Sequence, residues 1–145
     1  MAGDVDSSSG RIVVGLDGSE SALEALRWAG RIGVAIGVNI DVVACWEHPQ
    51  VGSDDLPAPT YRNGSQTRQV AAKWVDEVFG GARPEGLRLL VRQGEPERVL
   101  TQAATGAEML MVGSRGRGAF ASIVLGSVSV YCAEHARCPV VIIHG

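Results

Sequence analysis

Apolar residues in this chain come as short continuous runs, separated by longer stretches with helical spacing. Arg11-Ile-Val-Val-Gly-Leu-Asp17 runs on without alternating, the pattern of a strand covered on both faces and hence of a parallel sheet. Asp17-Gly-Ser-Glu-Ser21 then turns the chain. Either Ser19 or Ser21 can cap the helix that follows, Ser21 with Glu24 as a capping box. Ala22, Leu23, Leu26, Ala29 and Gly30 recur at steps of three and four, a narrow face of small residues that can lie close on a sheet. This helix is expected to run to about Ile32, ended by Gly33 and Gly37.

Asn39 to Trp46 reads as the second strand. His48 to about Gly64 holds Pro49, Gly52, Pro57 and Pro59 and reads as a long linker, either a functional lid or a disordered segment. Gln66 to Phe79 is a helix with Val70, Ala71, Trp74, Val75 and Val78 on one face, closed by Gly80-Gly81. Leu87 to Arg92 is the third strand. Gly94-Glu-Pro96-Glu opens a third helix, with proline in the first turn where its missing N–H costs nothing, and Gly106 ends it. Glu108 to Gly113 and Cys138 to His144 are the fourth and fifth strands, with a last helix ending near Arg137.

This alternation predicts an α/β domain over residues 10–145, after a disordered head at 1–9. Right-handed crossovers make it a doubly wound, Rossmann-like sheet of five parallel strands in the order 3-2-1-4-5. In such sheets ligands sit beyond the carboxyl ends of strands where the order reverses, here between strands one and four. Asp17 and Gly113 end those two strands.

Composition narrows the partners. A chain of 145 residues with 46% hydrophobic and 20% charged residues has the makeup of one globular domain. Its net charge of −3 argues against nucleic acid as the main partner. Met1 to Gly10 lacks a basic n-region and an apolar h-region, and no apolar run is long enough to span a membrane, so a soluble, cytoplasmic protein is expected. Cys45, Cys132 and Cys138 form no paired framework. The spacing of Cys132, His135 and Cys138 suggests a metal, but no fourth ligand is evident.

The densest candidate chemistry is the glycine-rich stretch after the fourth strand. Gly113 and Gly118 have Walker spacing, but Ala119 and Phe120 stand where lysine and a hydroxyl are required. Gly116-x-Gly118-x-x-Ala121 matches a dinucleotide fingerprint, but only one strand remains after it, so half of that fold is missing. The third pattern is Gly113-x2-Gly116-x9-Gly126-Ser127. With Val14 to Ser21, Gly94-Glu-Pro96, Glu108 to Gly116, Leu125 to Ser129 and Cys138-Pro-Val-Val141, it resembles the ATP-binding branch of the universal stress protein family, from Arg11 to His144.

That resemblance implies the adenine nucleotide alpha hydrolase-like variant of the sheet and a site for ATP. Phosphates would be held by the backbone of Gly113, Gly116 and Gly126 and by the Ser127 hydroxyl, with Val128 and Ser129 following in the helix start. Ser127 as N-cap accounts for Gly126, which would cost about 1 kcal/mol inside a helix. Residues 119–125 are then a loop or short turn. Asp17 would lie by the ribose and phosphates and could hold Mg²⁺, a hard cation suited to carboxylate and phosphate oxygens. Adenine would meet main chain at Ala44 and Cys45, between Leu16 and Val112, with Arg115 and Arg117 available to the phosphates. The resemblance further implies a homodimer through strand 139–144. An ATP-binding stress or signalling regulator is the reading adopted. The alternatives are a slow ATPase or adenylyl-transferring enzyme, and a stress protein that works by protein contacts alone. No Gly-x-Ser-x-Gly elbow or assured catalytic base is present.

Overall fold

The computed structural model describes residues 10–47, 63–116 and 125–145. Its elements are β1 (Arg11–Gly15), α1 (Glu20–Ile36), β2 (Asn39–Trp46), α2 (Gly64–Phe79), β3 (Leu87–Gln93), α3 (Pro96–Ala103), β4 (Met109–Gly113), α4 (Ser127–His135) and β5 (Val140–Ile143). The five strands pair in the order β3-β2-β1-β4-β5, and every pairing is parallel. β1 lies between β2 and β4, so the reversal of strand order falls beside it, as the element pattern predicts. The expected head at 1–9, the linker core at 48–62, the turn at 119–124 and Arg117 lie outside the described residues.

Alternate residues of the continuous apolar strands point to opposite faces, and each face is buried. Ile12, Val14, Ile40, Val42, Ala44 and Met111 pack with Leu26, Ala29, Ala71 and Val75 of α1 and α2. Val13, Val43, Leu110 and Val112 pack on the other face with Leu100 of α3 and Cys132 of α4. Each fully buried Val, Leu or Ile contributes about 1.5–3 kcal/mol, so these strand residues anchor the layers that carry the loops above them.

Two helix boundaries differ from the pattern. Gly33 does not end α1; it is buried within it, and a Cβ there would come within 3.1 Å of Ile40 Cδ1. The glycine lets helix and sheet approach, and the stop falls at Gly37, which takes a left-handed φ of 71°. Ser19 rather than Ser21 is the N-cap of α1, its side chain accepting from the Ala22 N–H. Ser21 is buried and serves elsewhere. α2 begins at Gly64, capped by the Asn63 side chain on the Gln66 N–H, so the residues assigned to the end of the linker belong to the helix. α3 starts with Pro96 at its first position, as expected.

Candidate functional site

A narrow cleft of about 100 Å³ opens beyond the carboxyl ends of β1, β2 and β4. Leu16 sits under it, tied to β2 by a 2.9 Å bond from its N–H to the Val43 carbonyl. Asp17 follows at the surface, where the turn into α1 fixes its carboxylate. Oδ1 accepts from the Ser19 N–H at 2.9 Å and from the Ser19 hydroxyl at 2.6 Å. Its second oxygen faces Gly116, and a Cβ on that glycine would lie 3.1 Å from Oδ2. Strand one and the loop after strand four therefore close on each other, as the reversal of strand order requires.

That loop is stitched from both sides by buried hydroxyls. Ser21 Oγ donates to the Arg115 carbonyl at 2.8 Å and accepts from the Arg115 N–H at 3.4 Å. Ser129 Oγ donates to the Gly113 carbonyl at 2.7 Å and stands 3.1 Å from that of Ser114. The Ser114 N–H bonds to Ile143 at 2.8 Å, and the Gly126 N–H bonds back to Ser114 at 2.7 Å. The start of α4 is thus held against the end of β4.

The three motif glycines are needed for space rather than for conformation, since none of Gly113, Gly116 and Gly126 has a positive φ. A Cβ on Gly113 would collide with Ser21 Oγ and lie 2.6 Å from the Ala22 nitrogen; one on Gly126 would lie 3.3 Å from the Gly116 nitrogen. Gly113 and Gly126 let backbones pack, whereas a side chain on Gly116 would meet the Asp17 carboxylate. The N-cap of α4 is Gly126, with Ser127 the first helical residue. The Gly126 backbone is extended and its own N–H donates to the Ser114 carbonyl, and no side chain caps the first-turn N–H groups. The N–H groups of Ser127, Val128 and Ser129 have no acceptor within the helix, as in any helix's first turn.

Of the residues expected here, Leu16, Asp17, Cys45, Val112, Gly113, Arg115, Gly116, Val128 and Ser129 line the cleft. Ala44 does not: it is 1% exposed in the core under α1 and α2, because neighbouring strand residues face opposite ways. Ser127 is exposed and outside the lining, and Gly126 backs the loop from behind. Val43, Pro96 and Leu100 also line the cleft. They were missed because nothing in the sequence shows that α3 passes over the end of β2. Ser21 was missed as a loop clamp because the capping-box pattern explains it locally.

Burial raises the Cys45 thiol from its ordinary 9.0 to about 12, and the negative charges of Glu47, Glu97 and Asp17 add to this. Glu47 is itself held above the usual carboxylate range by burial and then by Glu95 and Glu97. Arg115 is the one cation among the described lining residues. The described residues, Cys132, His135 and Cys138 among them, form no group of three or more His, Cys, Asp or Glu able to hold a metal.

A model described as the universal stress protein family matches residues 9–144. The chain belongs to this family. A universal stress protein of Mycolicibacterium smegmatis is 30% identical over 141 residues, covering 92% of this chain and 48% of its own length. The chain spans about half the length of the curated relatives it matches. Among solved structures, a universal stress protein in complex with cAMP aligns with a TM-score of 0.68 at 24% identity, over 94% of this chain and 97% of that one. A universal stress protein from Archaeoglobus fulgidus in complex with dAMP aligns at 0.59 and 25% identity, over 92% and 97%. No described helix is long and apolar enough to cross a membrane.

Proposed function

We propose that this universal stress protein domain binds an adenine nucleotide, ATP with Mg²⁺, in the cleft at the β1–β4 reversal, and acts as a nucleotide-dependent stress or signalling regulator. The observation that carries this reading is the approach of Asp17 to Gly116, with the first turn of α4 beside them in one cleft. A helix start offers N–H groups and a positive dipole end to phosphate. Gly116 leaves room for it, and Val43, Leu16, Val112 and Leu100 supply apolar walls for a base. The cAMP and dAMP complexes of structural neighbours support the ligand class.

Electrostatics add a requirement. Asp17, Glu47 and Glu97 all act on Cys45, so a polyphosphate here meets negative charge with Arg115 as its one described counter-charge in the lining. Asp17 Oδ2 is placed to ligate a Mg²⁺ brought in with the phosphates, which would neutralise both sides. The described residues of the cleft bind and orient; none of them is set to activate water, and slow hydrolysis at most is expected. The protein works as a homodimer through strand 139–144: β5 is an edge strand, and Val140, Val141, Ile142 and Ile143 stay half-buried.

Calorimetric titration of the purified protein with ATP, in the presence and absence of Mg²⁺, tests this. Affinity in the micromolar range is expected, weaker without the metal. No heat and no thermal shift with ATP, ADP or AMP would end the proposal.

A further inference from the structure

Among the described residues the second face of the sheet is incompletely covered. α3 packs on β1 and β2 and α4 on α3 and β5, and no described helix packs on β3 and the adjoining part of β2 on that side. Between them and α3 lies a groove of about 760 Å³, within the range of small-molecule sites. The β2–β3 register sets Asp41 beside Arg88 and Val43 beside Leu90 on this face. Val43 and Leu90 form an apolar floor, and Val99 and Ala103 form an apolar wall on α3.

Its charge is opposite to that of the chain. Asp41 is buried, its side chain 5% exposed, and takes Arg88 Nε and Nη2 at 2.9 Å each and Arg11 Nε at 3.6 Å. One carboxylate against two guanidinium groups leaves a charge of +1. Arg92, on the same face of β3, adds another, and no other ionised group is among the described lining residues. The groove is therefore at +2 in a chain at −3. Arg88 is 62% exposed and keeps Nη1 beyond its pair with Asp41; Arg92 commits only Nη1, to the neighbouring Val91 carbonyl. The carboxylate holds Arg88 in place without exhausting it, which is how a preorganised anion receptor differs from a solvated arginine.

We propose that this groove is a second ligand site, for an amphipathic organic anion. Its apolar body lies on Leu90, Val99 and Ala103, and its acidic group is held by Arg88 and Arg92. The site stands back to back with the nucleotide cleft. Val43 lines both, and α3 turns Pro96 and Leu100 to the cleft and Val99 and Gln102 to the groove.

The probe is 8-anilinonaphthalene-1-sulfonate, an aromatic body with one anionic group, titrated into the folded, full-length protein by fluorescence. Saturable binding is expected, displaced by decanoate and retained in excess ATP. Arg92→Gln, at an exposed residue outside the Asp41 pair, should weaken it about tenfold, with the melting temperature unchanged. Ala103→Trp should weaken it by covering the apolar wall beside Val99. The proposal is overturned if the full-length protein does not bind the probe. It is also overturned if Arg92→Gln binds as tightly as the parent, if ATP displaces the probe from the parent, or if binding vanishes as rising protein concentration drives self-association, which would make a second copy the occupant.

Discussion

The Oδ2 atom of Asp17 stands 3.1 Å from the point where a Cβ on Gly116 would lie. The two residues come from opposite ends of the chain and share no element, yet together they bound the mouth of the cleft. Because Gly116 is exposed and has no positive φ, a side chain there meets the carboxylate and its ligand space rather than the core. Gly116→Val is therefore expected to lower ATP affinity at least tenfold while leaving the melting temperature within about a degree of the parent. Undiminished affinity by calorimetry would remove Gly116 from the phosphate site.

Gly126→Val should behave differently. From the sequence it would be expected to abolish binding in an intact fold. In the structure a Cβ at Gly126 sits tightly at 3.3 Å from the Gly116 nitrogen, with Arg115 Cα and the Ser114 carbonyl in contact behind it, so the two further methyls of valine have backbone to displace. Overpacking of this kind costs about 1–3 kcal/mol. Loss of stability together with loss of binding is expected, and a variant as stable as the parent in urea would contradict the packing role.

Asp17→Asn keeps an oxygen to accept from Ser19, so the turn into α1 should survive. What is lost is the charge. ATP affinity in Mg²⁺ should fall about tenfold or more toward its metal-free value; equal Mg²⁺ dependence in parent and variant would show that Asp17 is no metal ligand.

Ser129→Ala deletes the buried hydroxyl that holds the Gly113 and Ser114 carbonyls. The Ser114 carbonyl keeps the Gly126 N–H, so the loss is chiefly the bond to the Gly113 carbonyl, about 0.5–1.5 kcal/mol, which in a chain of this size lowers the melting temperature by a few degrees. An unchanged melting temperature would mean that the loop does not depend on this bond. Ser127→Ala, at an exposed position, should leave stability alone.

The Cys45 thiol, raised to about 12, and the Cys132 thiol, raised by burial to about 11, hold their protons more tightly folded than unfolded. Their contribution to stability is complete below the ordinary thiol value of 9.0 and is lost as pH rises through the folded values. Denaturant midpoints should fall progressively between pH 9 and 12, less steeply in a Cys45→Ala, Cys132→Ala variant. Cys45 should also resist alkylation at pH 8, since only the thiolate is reactive; rapid labelling of the folded protein would contradict a thiol raised to about 12.

The sequence alone was enough for the number and type of elements, the parallel sheet and the place of the strand-order reversal. Each of these follows from local pattern: unbroken apolar runs such as Ile12 to Val14, a capped helix after Asp17, and Pro96 opening another. It also marked Asp17 and Gly113, because residues ending the strands beside the reversal have few other places to go; Gly116 was marked by the glycine spacing, and Cys45 only by the family resemblance. Only the tertiary structure decided what each glycine is for. Gly33 carries α1 past Ile40, Gly113 admits the start of α1, and Gly126 backs the loop, leaving Gly116 alone to face Asp17. Likewise only packing shows Ser21 reaching Arg115 across 94 positions, Ala44 turned into the core, and α3 separating two cavities. The physical reason is range: helix caps and apolar periods act within a few residues, whereas the absence of a Cβ or the partner of a hydroxyl is explained by atoms that only the folded chain brings near.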